Sequence, residues 1–258
     1  MTQISGGKLS GMRLDGAAFM SPMDLGASIW LRRGMGITIA TGVSQWNDQS
    51  GNNRHFAQAT GADQPTYNAG TGIVTFNAAN TQLLRLGSNV PVLSGGTGEL
   101  FLVVRFPITT GGGCMWSIDS NTVIDADNYS FYRTSGKLRF NKAVTASNES
   151  ISLTSAPDAT WMIVSAKNDG TLANLNRMFI NGQEVQYTKQ GLVAWISTPT
   201  RMYLGAEARN SGGVETTPVV WGTFDIVDFA FFDDLTLNNI QRSRLVSYYR
   251  HEYPDLLT

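Results

Sequence analysis

The stretch RMFINGQEVQY, residues 177–187, sets Asn181 and Gly182 between two runs rich in β-forming residues. Asn followed by Gly tolerates two successive positive φ angles, which a two-residue type I′ turn requires, and the twist of that turn matches the twist of paired strands. The stretch therefore predicts a tight β-hairpin. A similar glycine-containing connection, RTSG at 133–136, lies between the strand-like runs 129–132 and 137–141.

Outward from these hairpins, short apolar runs alternate with turn residues. Residues 27–32 (ASIWLR), 43–46 (VSQW), 73–76 (IVTF), 83–86 (LLRL) and 202–206 (MYLGA) read as strands, and the polar cluster 47–54 (NDQSGNNR) reads as a loop. Residues 99–106 (ELFLVVRF), 161–167 (WMIVSAK) and 224–232 (FDIVDFAFF) are apolar on both faces, the pattern of central strands covered above and below. Helical periodicity occurs only near the end of the chain. Leu237, Ile240, Leu245, Tyr248 and Tyr249 fall on one side of a helix turning about 100° per residue. Thr236 is the expected N-cap and Pro254 the expected stop. The expectation is an all-β, two-sheet antiparallel sandwich over residues 24–258, with one short C-terminal helix. Residues 1–23 are expected to form an irregular edge or attachment arm.

Composition narrows the functional classes. A chain of 258 residues can bury one large core, and only 15% of it is charged, with a net charge of −1 and no basic run. That balance argues against a nucleic-acid partner, which calls for a cluster of Lys and Arg. Cys114 is the lone cysteine, so neither an intrachain disulfide nor a four-cysteine metal centre is open to the chain. No apolar run is long enough for a membrane helix, and the opening residues have no signal-peptide core. The expectation is a protein made in the cytoplasm without membrane insertion.

Several stretches, in order, resemble the concanavalin A-like (laminin G-like) jelly-roll family, particularly the forms found in phage virion proteins and bacterial surface proteins. They begin with Ile29-Trp30-Leu31 and the run Val43-Ser44-Gln45-Trp46-Asn47-Asp48-Gln49-Ser50-Gly51-Asn52. Pro65-Thr66 and Ile73-Val74-Thr75-Phe76 follow, then the tryptophan strand 161–166 and Phe179-Ile180-Asn181-Gly182. The aromatic strand 226–233 and the helix 235–249 complete the likeness, with Asn239 standing where the family often carries an acidic residue. The resemblance implies two stacked antiparallel sheets and a role in adhesion, carbohydrate binding or particle decoration. On this basis the expected protein is a non-enzymatic phage virion component of the capsid, tail or fibre, localised to the virion. Its expected partners are host-surface glycans or neighbouring virion proteins, and by analogy with fibres it is a homotrimer. The alternatives are a free-standing bacterial adhesion module and a polysaccharide-cleaving enzyme.

Candidate site residues each have a structural alternative. Trp46, Trp195 and Trp221 lie near loops or strand ends and are candidate platforms for sugar rings, whereas Trp30, Trp116 and Trp161 read as core. Asp48, Ser50 and Asn52 offer oxygens at alternate positions, as Ca²⁺ coordination requires, or else hold an Asx turn. Asp125 and Asp127 form a second acidic loop. A retaining glycosidase needs two carboxylates about 5–5.5 Å apart, and Asp225 and Asp228, three residues apart in one strand, are expected on opposite faces. Asp233 and Asp234 are expected in the turn before the helix. His55, His251 and Cys114 lack the neighbouring groups of a catalytic triad and read as structural.

Overall fold

The computed structural model describes residues 13–14, 17–91, 97–107, 113–119, 128–142, 149–169, 176–189, 199–207, 210–211, 214–215 and 220–257. Within them two large antiparallel sheets face one another. The eight-stranded sheet runs Gln183–Glu184, Asn176–Ile180, Trp161–Asp169, Thr97–Arg105, Phe224–Asp233, Ile73–Phe76, Thr66–Asn68, and Ile29–Arg32 also pairs with Phe224–Asp233. The ten-stranded sheet runs Tyr187–Lys189, Glu149–Ser155, Lys137–Lys142, Asn128–Thr134, Gly113–Asp119, Arg201–Leu204, Leu84–Leu86, Phe56–Ala57, Val43–Trp46, Ile37–Ile39.

The expected hairpins form where the turn residues place them. Asn181 and Gly182 have φ of 52° and 83°, and Ser135 and Gly136 have 49° and 76°, so both turns have the two left-handed positions of type I′. Side chains alternate across the strands. Leu100, Leu102 and Val104 face the ten-stranded sheet, while Phe101 and Val103 face away from it. Between the sheets Trp116 stacks on Phe231 with centroids 5.7 Å apart, and Phe56 meets Phe229 edge-on at 6.0 Å. Each such side chain contributes about 1.5–3 kcal/mol by leaving water.

A third layer covers the outer face of the eight-stranded sheet. The helix Asn239–Glu252 buries Leu245, Val246 and Tyr249 against Phe101, Val103, Val227, Ala230 and Phe232. Its N-cap is Asn238, not Thr236. The Asn238 side chain accepts from the N–H groups of Ile240 and Gln241, and the Gln241 side chain accepts from Asn238 N–H in return, forming a reciprocal capping box. The buried stripe also differs from the expected one, since Ile240 is 65% exposed and Arg242 is buried in its place. The physical reason is Glu99, which lies beneath the first turn. Its carboxylate accepts from Arg242 Nε at 2.9 Å and Nη2 at 2.7 Å, and from Leu237 N–H at 2.9 Å. Burial holds the Glu99 pKa above the ordinary carboxylate range against the pull of Arg242.

Asp225 and Asp228 are not on opposite faces. The pairing of Thr97–Arg105 with Phe224–Asp233 slips between Val103, opposite Asp228, and Val104, opposite Ile226. Val227 is the extra residue of this β-bulge. Phe224 and Ile226 face the inter-sheet core, as do Phe229 and Phe231. Asp225 and Asp228 consequently both face outward.

Residues 19 and 20, at the end of the expected N-terminal arm, lie against the helix. Phe19 stacks on His251 with centroids 5.0 Å apart, and Met20 packs against the apolar layer beneath the helix.

Candidate functional site

The helix and the Asn181-Gly182 hairpin enclose a cleft of about 420 Å³. Its floor is Phe179, with the Arg242 guanidinium 4.0 Å from the ring centroid. One wall is the helix face bearing Ser243, Ser247 and Arg250, and the other is the hairpin with Asn181, Gln183 and Glu184. Two local features bring the walls together. Gly182 has no Cβ, and a methyl there would sit 3.0 Å from Val246 Cγ2, so the turn approaches the helix closely. The buried Glu99–Arg242 pair fixes the helix over the sheet from below.

The cleft is rich in hydrogen-bond donors. Arg177 is engaged by Glu184 through a two-pronged ion pair with Nε–Oε1 at 2.8 Å and Nη2–Oε2 at 2.5 Å. Asn181 Oδ1 accepts from Ile163 N–H at 2.9 Å, which leaves its NH₂ group facing outward from that bond. The side chains of Ser243, Ser247, Gln183 and Arg250 have no partner among the described residues. Hydroxyls, amides and a guanidinium held on a rigid frame form hydrogen bonds with a polar, oxygen-rich ligand.

The expected site residues fall elsewhere and apart from one another. Trp46 is not a ligand platform. It is fully buried in the inter-sheet core, and its Nε1–H donates to Arg32 O at 3.2 Å. Although it adjoins a polar loop, it is the last residue of the strand Val43–Trp46 and faces the inter-sheet core. Trp221 is half-buried and packs with Leu83, Tyr203 and Ala206 in a small cluster away from the helix. Trp195 lies outside the described residues, as do Asp125 and Asp127. Trp30 and Trp116 are buried as expected, whereas Trp161 is only half-buried, with the Arg105 guanidinium 5.2 Å from its ring centroid.

The Asp48, Ser50 and Asn52 loop does not fit Ca²⁺. Asp48 Oδ1 accepts from Trp30 N–H at 2.8 Å and Ser50 N–H at 2.9 Å, and Oδ2 accepts from the Ser50 hydroxyl at 2.8 Å and Arg54 N–H at 3.1 Å. These donors occupy the roughly four lone-pair directions of a carboxylate. Asn52 donates to Ser28 O at 3.1 Å. The alternating oxygens thus form an Asx turn that ties the loop to the strand Ile29–Arg32. His55 completes it, its Nδ1 accepting from Asp48 N–H at 3.1 Å. Among the described residues no group of three or more His, Cys, Asp and Glu side chains is arranged to hold a metal ion.

The two outward carboxylates of the strand Phe224–Asp233 are both engaged. Asp225 accepts from Thr75 Oγ1 at 2.6 Å and from Arg105 Nε at 2.9 Å. Asp228 lies completely under the helix, where it accepts from Trp30 Nε1–H at 3.2 Å, the Tyr249 hydroxyl at 3.1 Å and the Tyr253 hydroxyl at 2.6 Å. Burial pushes its pKa up to about 7, against the pull of these three donors. Cys114 is buried, with Sγ 3.2 Å from Trp116 O.

Solved structures share this arrangement of layers. The binding domain of botulinum neurotoxin DC in complex with SialylT is similar at a TM-score of 0.61 and 13% identity, over 88% of this chain and 52% of that one. The fold is an antiparallel jelly-roll β-sandwich. The ligand-binding domain of botulinum neurotoxin serotype D in complex with N-acetylneuraminic acid is similar at 0.61 and 12% identity, over 88% and 53% of the two chains. A Trypanosoma rangeli sialidase in complex with 2,3-difluorosialic acid as a covalent intermediate is similar at 0.57 and 13% identity, over 90% of this chain and 34% of that one. At these identities the likeness is one of fold, and the chain spans about half the length of the neurotoxin binding domains. No protein-family model matches the sequence. No curated protein sequence matches it either.

Proposed function

We propose that the protein is a non-enzymatic carbohydrate-binding module whose ligand lies in the cleft between the C-terminal helix and the Asn181-Gly182 hairpin. The observation that carries the reading is the cleft itself, where uncommitted hydroxyl, amide and guanidinium donors line a cavity of about 420 Å³ on a lectin-type sandwich. The similar structures described with SialylT and N-acetylneuraminic acid support it. A binding role in place of hydrolysis is supported by the two outward carboxylates of the central strand, since Asp225 is tied to Arg105 and Asp228 has no exposed surface. A glycan array probed with the purified protein tests the reading, alongside a reducing-end assay on a polysaccharide panel. Binding without release of reducing ends is the expected result. Release of reducing ends that persists in the Asp225→Asn variant would replace binding with catalysis at another centre.

The resemblance of residues 29–52, 161–182 and 226–249 to virion forms of this sandwich supports a finer reading, in which the module is displayed on a phage particle as a trimer. Mass spectrometry of purified particles and light scattering of the isolated protein test it. Absence of the chain from particles would remove it and leave the glycan reading in place.

A further inference from the structure

We infer that the helix–hairpin cleft selects saccharides bearing an anionic group, a carboxylate or a sulfate, with Arg250 as the group that recognises the charge. The inference rests on the glycan reading and narrows it.

Charge pairing isolates one cation. Of the three arginines lining the cleft, Arg242 is neutralised from below by Glu99, and Arg177 is neutralised across the hairpin by Glu184. Arg250 is exposed and has no hydrogen bond or ion pair with any described residue. The lining therefore carries one uncompensated positive charge at the end of the helix.

Spacing puts this charge in line with the other free donors. Ser243, Ser247 and Arg250 follow one another at four and three residues along the helix Asn239–Glu252, so they form a single row facing the hairpin. Across from them stand the Gln183 amide and the NH₂ group of Asn181. The single carboxylate of the lining, Glu184, already accepts from Arg177. A neutral sugar can pair with the serine hydroxyls and the Gln183 amide but offers no charge to the Arg250 guanidinium. An anionic group offers acceptors alone, and a planar guanidinium binds it through two parallel hydrogen bonds. The guanidinium and the serine row are thus matched to a sugar ring whose hydroxyls accept from Ser243 and Ser247 while its acidic substituent reaches Arg250.

The test is a titration of the ¹⁵N-labelled protein with N-acetylneuraminic acid, glucuronic acid and galactose 6-sulfate, each compared with galactose. The amide signals of Gly182, Ser243 and Ser247 are expected to move with the acidic sugars and not with galactose, and the carboxylate and sulfate arms identify which anion is preferred. Arg250→Gln is expected to weaken binding about tenfold, the loss of a charge-assisted hydrogen bond, with an unchanged thermal midpoint because the residue is exposed. Glu184→Gln, which frees the Arg177 guanidinium in the lining, is expected to tighten binding of the acidic sugars, and a weakened affinity in this variant would count against the charge inference. Equal response to galactose and acidic sugars, or an unchanged affinity in Arg250→Gln, would overturn the charge inference while leaving the glycan reading standing. Silence of the cleft amides toward every sugar would overturn both.

Discussion

Tyr253, just beyond the C-terminal helix, donates its hydroxyl across 2.6 Å to Asp228, whose carboxylate lies wholly inside the protein on the central strand. With Tyr249 and Trp30 as further donors, this carboxylate pins the end of the helix as Glu99 pins its beginning. The helix thus rests on the sheet through two buried polar anchors set in an apolar layer.

The first anchor makes stability depend on pH. Burial raises the Asp228 pKa from 3.8 to about 7, so the folded protein keeps this proton over a window in which the unfolded chain has lost it. Stability from this group is therefore complete below the unfolded value and is lost as pH rises through about 7, at up to about 1.4 kcal/mol per pH unit. The thermal midpoint is expected to fall between pH 5 and pH 8. Asp228→Asn, which mimics the protonated acid, is expected to fold and to lose most of that slope. Asp228→Ala is expected to cost about 2–5 kcal/mol, because the indole N–H and two phenol hydroxyls lose their acceptor. Melting curves of the three proteins across the pH range check both statements.

The second anchor is a buried ion pair, with Arg242 and Glu99 side chains 2% and 0% exposed. Removing one partner strands the other charge, so Glu99→Ala is expected to cost about 3–5 kcal/mol. The double variant Glu99→Gln, Arg242→Met is expected to recover most of that loss. Urea denaturation of the single and double variants measures the coupling.

The Asp48 loop is expected to be indifferent to calcium, since its carboxylate oxygens accept from Trp30, Ser50 and Arg54. The thermal midpoint should be the same in millimolar Ca²⁺ and in chelator. Asp48→Ala should lower stability by about 1–3 kcal/mol through the unpaired backbone donors. A calcium-dependent rise in the midpoint would contradict the geometry.

Gly205 combines a left-handed backbone with close neighbours on its Cβ side. It has φ of 85°, and a methyl there would run into the Phe76 ring and lie 2.8 Å from Gln82 O. Phe76 is itself stacked on Phe224 with centroids 4.9 Å apart, so it has little room to yield. Gly205→Ala is expected to cost about 2–4 kcal/mol. Gly26→Ala is the control, because Gly26 has a similar φ of 78° with nothing within 4 Å of its Cβ position. That substitution is expected to cost about 1–2 kcal/mol from conformation alone, and the difference isolates the clash.

The cleft could not be read from the sequence in the way the strands could. Ser243, Ser247 and Arg250 look like an ordinary solvated helix face, and nothing local links them to a hairpin some sixty residues earlier. Trp46 and Asp48 have residue types that suit ligands, yet one fills the core and the other holds an Asx turn. The bulge at Val227 reversed the expected facing of Asp225 and Asp228, since its cause lies in the register with a different strand. The reciprocal cap has a local signal, Asn238 followed three residues later by Gln241, and the helix starts there and not at Thr236.

By itself the sequence determined many of the extended segments, though not Gly113–Asp119 or Glu149–Ser155, and also where the two hairpins turn and that a helix follows the aromatic strand 224–232, because alternation, turn chemistry and helical spacing act over a few residues. Only the tertiary structure decided which carboxylates are buried, which tryptophans meet solvent and where a cavity opens. Those depend on which distant segments are brought face to face, and hence on the desolvation and charge pairing that each side chain meets there.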